Sequence, residues 1–248
     1  MTGPSRSLAF RFAESIVRPL VRLLTHHRWS GQEHVPREGG VVVVVNHTSH
    51  ADPFVVAHYL VNVPRLPRFL GKESVFRIPL AGRILRSAGQ IPVYRESVDA
   101  SRSYRDAVRA VRDGECVVIY PEGTLTRDPD LWPRRGKTGA ARVALETGCP
   151  VVPVAQWGSH TILSPYGSDL RLLPRQHVTV VAGPPVDLSA FRDVPHDGKV
   201  LAAATDAIMD ALSTLVGQVR GAEPPTTRWD PRQHGQSTTG RFDRGSTG

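Results

Sequence analysis

The sequence predicts an α/β protein with a mixed, largely parallel sheet flanked by helices, an N-terminal amphipathic helix pair and a disordered C-terminal tail. Short apolar runs rich in valine alternate with segments of helical periodicity, and this alternation predicts the sheet and its helices. After residue 220 the composition changes to Pro, Thr, Gly, Ser and Arg, which is typical of disorder. We therefore expect a helical segment over residues 1–30, an α/β domain over 31–220 and a disordered tail over 221–248.

The N-terminal segment combines a wide apolar surface with a narrow stripe of charge. On a helical wheel, Arg11, Glu14, Arg18 and Arg22 share one face, and apolar side chains cover the rest. Pro19 should break or kink this helix into two shorter ones. We expect the pair to lie in a membrane interface with its arginines near lipid phosphates, and the alternative is that its apolar face packs on the α/β domain.

The sequence shows no segment that we expect to span a membrane. The best candidate, residues 8–24, is interrupted by four charged residues and lacks a convincing signal-peptide cleavage site. The net charge of +8 favours an anionic partner. Aromatic residues make up only 6% of the chain, and no zinc-finger or RNA-binding signature is present. We therefore expect a peripheral protein on the cytoplasmic face of a membrane with anionic lipid, and no nucleic-acid partner.

The remaining elements follow in chain order. Strands are predicted at 41–45, 68–70, 90–94, 117–120, 151–155 and 177–182, and helices after Asp52 and at 74–88, 99–113, 138–147 and 200–216. Pro79 should break the helix at 74–88, and Pro92 should confine the strand at 90–94 to an edge, because proline cannot donate to a strand ladder.

The cysteines and histidines do not indicate a metal or redox centre. Cys116 and Cys149 are far apart in sequence, and each lies in or beside an apolar segment, which favours buried reduced thiols. The ten histidines form no His-Glu-x-x-His or comparable cluster. Gly136-Lys137-Thr138 matches the end of a Walker A loop, but the position that needs glycine is Leu131. We expect no metal and no cofactor.

A polar octapeptide, Asn46-His47-Thr48-Ser49-His50-Ala51-Asp52-Pro53, directly follows five consecutive valines. It therefore lies at the carboxyl end of a predicted buried strand, the edge of an α/β sheet where ligands bind. The chain turns between His47 and Asp52, so the carboxylate could hold one ring nitrogen while the other takes a proton from a substrate hydroxyl. The alternative is that Asp52 only caps the following helix and His47 is an ordinary loop histidine.

A second polar stretch, Tyr120-Pro121-Glu122-Gly123-Thr124, follows another predicted buried strand. Together with Asn46-His47 and Asp52, this stretch resembles the glycerolipid acyltransferase family, which includes the 1-acylglycerol-3-phosphate acyltransferases. The segment from Gly71-Lys72-Glu73 to Arg95 is similar to that family's second block, and Val151-Val152-Pro153-Val154 to its fourth. The resemblance covers roughly residues 35–158 with four blocks in the family's order, which is more specific than any one block.

The resemblance implies a reaction and a pair of catalytic residues. A fatty acyl group would pass from acyl-CoA or acyl carrier protein, as co-substrate, to the free hydroxyl of a lysophosphatidic acid-type acceptor, giving phosphatidic acid in phospholipid biosynthesis. His47 would be the general base and Asp52 its partner, with no acyl-enzyme. Glycerol-3-phosphate, another lysophospholipid or a glycolipid would also fit as acceptor. A catalytically weak lipid- or phosphate-binding protein of the same fold is the other hypothesis.

The acceptor's phosphate needs cationic or turn residues to hold it. The turn Glu122-Gly123-Thr124 supplies backbone amides and a hydroxyl at a strand end. Where the family usually has an arginine after the threonine, this chain has Leu125, and Arg127 is the candidate replacement. Arg95 matches the family's second block and is the preferred phosphate contact.

Several other polar residues near these motifs are candidates for the same site. Lys72 and Lys137 are further candidates for substrate binding, whereas Arg134 and Arg135 are expected to be exposed and solvated. Glu122 is expected to pair with a substrate hydroxyl or a neighbouring arginine. His50 competes with His47 as base but lacks the five-residue spacing to an aspartate.

Overall fold

The computed structural model describes residues 8–94, 100–167 and 169–237. These residues form a seven-stranded sheet in the order β1-β7-β6-β2-β5-β3-β4. Neighbouring strands are parallel except for the β6–β7 pair. The strands are β1 (Thr25–Ser30), β2 (Val41–Val45), β3 (Pro67–Lys72), β4 (Ile91–Val93), β5 (Cys116–Ile119), β6 (Val151–Trp157) and β7 (Gln176–Ala182).

Helices cover both faces of this sheet, which confirms the predicted fold class. The described helices are α1 (Leu8–Leu24), α2 (Asp52–Asn62), α3 (Glu73–Phe76), α4 (Pro79–Ser87), α5 (Ala100–Arg112), α6 (Gly139–Thr147), α7 (Ser159–Ile162) and α8 (Gly198–Arg220). Short 3₁₀ turns lie at Gln32–His34, Ser189–Phe191 and Pro231–His234. Helices α5, α6 and α8 pack on one face of the sheet, and α2 and α7 pack on the other.

Strand β2 lies near the centre of the sheet, between β5 and β6. Val42 and Val44 point into one core, Val41, Val43 and Val45 point into the other, and all five are completely buried. A strand covered on both faces needs apolar side chains throughout, and valine's branched Cβ suits extended backbone. The polar residues that follow β2 are therefore held at a rigid point in the middle of the sheet.

Helix α1 is one helix with Pro19 inside it, where the sequence predicted two. A single proline removes one N–H donor, and the turns on either side keep theirs. The Arg18 guanidinium donates to Asn62 Oδ1 at 3.0 Å and thereby fixes α1 to α2. The apolar side chains of α1 at Ile16, Leu20 and Leu23 are exposed, so these residues do not support the alternative in which the apolar face packs on the domain.

Residues 25–30, placed in the helical segment from the sequence, form the edge strand β1 instead. The segment reads Thr-His-His-Arg-Trp-Ser and has neither an apolar run nor a clear alternation. It pairs in parallel with β7 and is largely exposed. An edge strand with so little buried surface leaves a weak sequence signal.

The first part of the predicted disordered tail is packed on the domain. Arg228 forms ion pairs with Asp206 and Asp210 of α8, and the Trp229 carbonyl accepts a hydrogen bond from the Arg135 amide at 3.2 Å. The prediction of disorder is therefore wrong for this stretch, because polar contacts order a segment with few apolar residues. Residues 238–248 of the tail lie outside the described residues.

One described helix, α8, is long and apolar enough by length and composition to cross a membrane, contrary to the expectation from the sequence. Half of the relevant window is buried inside the structure, against β6 and the neighbouring core. The packing of α8 on the sheet accounts for its apolar character.

Candidate active site

The candidate site lies where the loops after three neighbouring strands meet. Strand β2 ends at Val45, β5 at Ile119 and β6 at Trp157, and β2 lies between the other two in the sheet. Because these strands are parallel, their carboxyl ends share one edge. The octapeptide after β2 and the Tyr120–Thr124 stretch after β5 are therefore side by side at this edge.

The His47 ring and the Asp52 carboxylate are in direct contact. His47 Nδ1 lies 2.9 Å from Asp52 Oδ2, and the same oxygen accepts hydrogen bonds from the backbone amides of Thr48 at 2.7 Å and Ser49 at 3.0 Å. Asp52 is 0% exposed and is the first residue of α2, after the N-cap residue Ala51. The carboxylate thus builds the turn and holds the ring at the same time, which leaves His47 Nε2 for a substrate.

A buried network of polar side chains hydrogen-bonds the second oxygen of the Asp52 carboxylate. Ser159 Oγ hydrogen-bonds Asp52 Oδ1 and also lies 2.6 Å from Gln156 Oε1. Gln156 Nε2 donates to Thr48 Oγ1 at 2.9 Å, and the Gln156 backbone exchanges two hydrogen bonds with the Asn46 side chain. Neither Gln156 nor Ser159 was predicted from the sequence. Their only signal was a glutamine at the end of an otherwise apolar strand.

The Glu122 carboxylate connects the loop after β2 to the loop after β5. Its Oε1 accepts from the His47 amide at 3.0 Å, and its Oε2 accepts from the Arg134 amide at 3.2 Å. Glu122 is 0% exposed, and burial raises the pKa of its carboxyl to about 7 against the opposing effect of these hydrogen bonds. Of the two predicted partners of Glu122, the structure shows the neighbouring arginine, Arg134, and both carboxylate oxygens accept from protein groups rather than facing the place of a substrate.

Two arginines differ from their predicted places. Arg134, expected to be exposed, is buried, and its guanidinium donates to the Glu122 carbonyl and lies within ion-pair distance of the Glu122 carboxylate. Arg127, predicted to contact phosphate, is buried beside Tyr166 and does not line the cavity described below. Arg135 is exposed as expected and pairs with Asp230 at 3.3 Å.

A cavity of about 920 Å³ lies against His47. Most of its wall is apolar, and it reaches from the loop after β2 to the space beneath α1 and α4. The wall includes Ala57, Val61, Phe69, Leu70, Ile84 and Leu85. Glu14 and Arg18 of α1 also line it, so the charged stripe of α1 turns inward at these two residues. The volume and lining are typical of a pocket for an apolar ligand.

Four of the predicted substrate-binding residues line this cavity: Lys72, Gly123, Thr124 and Lys137. Gly123 has φ of +72°, and a Cβ atom at this position would lie 3.0 Å from Lys137 Cε. Glycine therefore allows both the turn and the passage of the lysine side chain over it. Arg95, the preferred phosphate contact, lies outside the described residues.

The His47 ring is stacked on Tyr120, with ring centroids 4.1 Å apart. His50 also lines the cavity, 6.4 Å from His47, but its ring has no hydrogen bond to a carboxylate among the described residues. Burial, and then the neighbouring His47, lower the pKa of His50. Of these two imidazoles, His47 is therefore the one whose ring a carboxylate holds among the described residues.

The described residues contain no group of three or more His, Cys, Asp and Glu side chains placed to hold a metal ion. Cys116 and Cys149 are both buried and unpaired. Burial raises the pKa of the Cys116 thiol to about 11, so this sulfur stays protonated and unreactive.

Curated proteins of two bacteria show what this chain is similar to. A 1-acyl-sn-glycerol-3-phosphate acyltransferase of Borreliella burgdorferi is 32% identical over 132 residues, which cover 53% of this chain and 51% of that protein. A protein of the same name from Bacillus subtilis is 25% identical over 207 residues, 83% of this chain and 96% of that protein. The chain spans about half the length of several curated relatives it matches, the Borreliella protein among them.

The fold is also that of a solved structure. The crystal structure of the 1-acyl-sn-glycerophosphate acyltransferase PlsC from Thermotoga maritima matches with a TM-score of 0.64 and 20% identity, over 89% of this chain and 82% of that one. The family model described as Acyltransferase matches residues 26–157, the part that carries the octapeptide, the Tyr120–Thr124 stretch and β6. Because this match covers more than half of its 248 residues, the chain belongs to the acyltransferase family.

Proposed function

We propose that this protein transfers a fatty acyl group from acyl-CoA or acyl carrier protein to the free hydroxyl of lysophosphatidic acid, giving phosphatidic acid. The observation that carries the proposal is the 2.9 Å contact between His47 Nδ1 and the buried Asp52 carboxylate, at the wall of a largely apolar cavity. The names of the relatives described above support the choice of acceptor.

The reaction needs one base because a thioester is a good electrophile with a good leaving group. His47 Nε2 removes the proton from the acceptor hydroxyl as its oxygen attacks the thioester carbonyl carbon. The Asp52 carboxylate stabilises the resulting imidazolium. As the tetrahedral intermediate collapses, the carbon–sulfur bond breaks and the imidazolium returns its proton to the leaving thiolate. A positioned base of this kind contributes about 10² to 10⁴ in rate.

The acceptor's phosphate would bind beside the turn at Gly123. Lys137 passes directly over this glycine, and Lys72 lies on another part of the same wall. An ammonium group is a suitable point charge for a phosphate, and the neighbouring Thr124 can donate its hydroxyl. Arg95 stays a predicted contact from the family resemblance.

The acyl chain would lie in the apolar part of the cavity, beneath α1 and α4. The protein surface near this region carries exposed apolar side chains. They are Phe54, Val75, Ile78 and Leu80, and on α1 Ile16, Leu20 and Leu23. Phe54 and Val75 also line the cavity. We expect this surface to contact a membrane with anionic lipid on its cytoplasmic face, so that lipid substrates reach the cavity from the bilayer.

The test is acceptor-dependent release of free thiol from acyl-CoA, measured in detergent with lysophosphatidic acid present or absent. His47→Ala should lose at least about two decades of kcat while keeping its thermal unfolding transition. His50→Ala is the matched control, because it removes a second imidazole from the same cavity and should retain most of the activity.

The assay also separates the other hypotheses. Glycerol-3-phosphate, other lysophospholipids and a glycolipid should be poorer acceptors, and a higher kcat/KM with one of them would reassign the acceptor. If the wild-type protein released no thiol with any donor and acceptor in this panel, a lipid- or phosphate-binding role would replace the enzymatic one.

A further inference from the structure

A second, smaller pocket lies at the outer edge of the sheet, where β1 pairs with β7. Its volume is about 370 Å³, and it is lined by Thr25, His26, His27, Arg28, Arg175 and His177. Its lining shares no residue with the cavity at His47, so the two pockets are distinct. None of its residues has a role in the proposed acyl transfer.

The strand register brings the imidazoles of this pocket together. His26 on β1 is paired with His177 on β7, and their rings are stacked with centroids 5.1 Å apart. Arg28 follows two residues after His26, on the same face of the strand. Two protonated imidazoles side by side repel each other, and the neighbouring guanidinium adds to this repulsion.

The pocket contains no acidic residue that could balance this charge. Thr25 is the only lining residue that is neither arginine nor histidine, and no ion pair joins Arg28 or Arg175 to a carboxylate among the described residues. Burial, then Arg22, Arg175 and His26, lower the pKa of His27, as expected for an imidazole among other cations. A bound anion would remove this repulsion.

The pocket also adjoins apolar surface that suits a lipid. Arg175 donates to the carbonyls of Arg22 and Thr25 at 2.6 and 2.8 Å, which fixes the pocket at the end of α1. Leu23, one residue after Arg22, is 69% exposed, and Leu173, two residues before Arg175, is 79% exposed. Exposed leucines beside a cationic pocket match a phospholipid, whose phosphate lies next to its acyl chains.

We propose that the pocket between β1 and β7 binds a phosphate group, as carried by the head group of an anionic phospholipid. This site would hold a membrane lipid as an anchor and would orient α1 on the bilayer. It is separate from the acceptor site, so its loss should leave acyl transfer in detergent intact.

The main test is vesicle binding by a variant that removes the cationic side chains from one face of the pocket. His26→Gln/Arg28→Gln/His177→Gln should weaken binding to phosphatidylcholine vesicles containing phosphatidylglycerol by about tenfold or more at pH 6, with little effect on pure phosphatidylcholine vesicles. The control is Arg102→Gln/Arg109→Gln, which removes two exposed arginines from α5, and it should bind nearly as the wild type does. Equal binding by the triple variant and the wild type would overturn the proposal.

The pH dependence gives a second readout, because histidines gain charge between pH 8 and pH 5.5. Wild-type binding to the anionic vesicles should strengthen as the pH falls, and the triple variant should show a smaller change. The charged and titratable groups that face the pocket histidines are Arg22 of α1, Arg28 of β1, His58 of α2 and Arg175 before β7. A change of equal size in both proteins would assign the pH effect to other groups and count against the pocket.

Inorganic phosphate and a single-stranded RNA oligomer test whether the pocket binds the phosphate of a lipid or that of another molecule. If millimolar inorganic phosphate shifts the histidine NMR signals of the wild type while vesicle binding is the same in both proteins, the lipid assignment is overturned. The lipid assignment would also be overturned if a single-stranded RNA oligomer displaced the protein from the vesicles and bound it more tightly than the vesicles do. Should the triple variant fail to fold, Arg28→Gln alone should still weaken vesicle binding by a few fold, and no change would refute the proposal.

Discussion

Replacing Asp52 by asparagine tests whether this carboxylate contributes to the reaction or only builds a turn. Asparagine has nearly the same shape and can place its amide oxygen where Oδ2 now accepts from His47 Nδ1 and from the Thr48 and Ser49 amides. Its amide nitrogen would then face Ser159 Oγ, which can rotate to donate to Gln156 instead. If the asparagine side chain were flipped, its NH₂ group would face the backbone N–H groups of Thr48 and Ser49, and donors would then oppose donors. The substitution should therefore preserve the local fold and remove only the negative charge.

The expected loss of activity follows from the distance between the positive charge on the His47 imidazolium and the negative charge on the Asp52 carboxylate. With the charge centres of an imidazolium and a carboxylate about 4 Å apart, their attraction at an effective dielectric constant of about 20 is about 4 kcal/mol. In the proposed mechanism His47 gains its positive charge as it takes the proton from the acceptor hydroxyl, so this attraction stabilises the transition state. A loss of about 4 kcal/mol corresponds to about 10³ in kcat.

The assay is steady-state thiol release by Asp52→Asn, by His47→Ala and by the double variant, with thermal unfolding as the check on folding. The double variant should be no slower than His47→Ala, since the carboxylate acts only through the imidazole. Ser159→Ala is the structural control and should lose no more than about tenfold, because it leaves the charge in place. If folded Asp52→Asn retained a tenth or more of the wild-type kcat, the reasoning would fail, and Asp52 would be a turn-building residue.

Three further predictions concern residues around this pair. Arg95→Ala should raise the KM for the acceptor and leave the KM for acyl-CoA nearly unchanged, and an unchanged acceptor KM would remove Arg95 from the phosphate site. Gly123→Ala should lower kcat/KM for the acceptor by about tenfold or more, because φ of +72° is strained for alanine and a methyl group 3.0 Å from Lys137 Cε would displace the lysine side chain; wild-type values would contradict a role of this turn and of Lys137 in binding the phosphate. Glu122→Gln should flatten the pH dependence of Tm between pH 4.5 and 7. Burial raises the pKa of Glu122 in the folded protein to about 7, so the wild type loses up to roughly 3 kcal/mol of folding stability as the pH rises through this interval. Glutamine cannot ionise, so the variant should not show this loss. Parallel Tm profiles of both proteins would contradict that ionisation.

The sequence was most informative where one physical requirement dominates a segment. Five consecutive valines predict a strand that is buried on both faces. Polar residues after such a strand lie at the edge of the sheet where ligands bind. The contact between His47 and Asp52 followed from this placement and their short separation. The helix predicted at 138–147 is followed by Gly148 in the left-handed conformation, which glycine adopts more readily than other residues at a helix end.

The parts that sequence analysis missed depend on contacts between distant segments. Ser159 lies 107 residues from Asp52, and no local pattern connects them. Arg134 was expected to be solvated because arginine usually is, but a buried carboxylate 12 residues earlier provides its partner. Strand β1 escaped notice because an exposed edge strand does not need apolar alternation. The packed stretch after α8 was missed because Arg228 is ordered by aspartates and not by apolar burial.

The division of the Glu122 oxygens between two loops has a consequence for synthesis of the chain. The octapeptide that carries the base is made early, but the carboxylate that holds its backbone comes 75 residues later, and the serine beneath Asp52 later still. A nascent polypeptide that has emerged only through α2 would carry His47 and Asp52, the proposed catalytic pair, without the groups that orient them. The enzyme would therefore be inert on the ribosome until the whole of β6 and the start of α7 had left the exit tunnel.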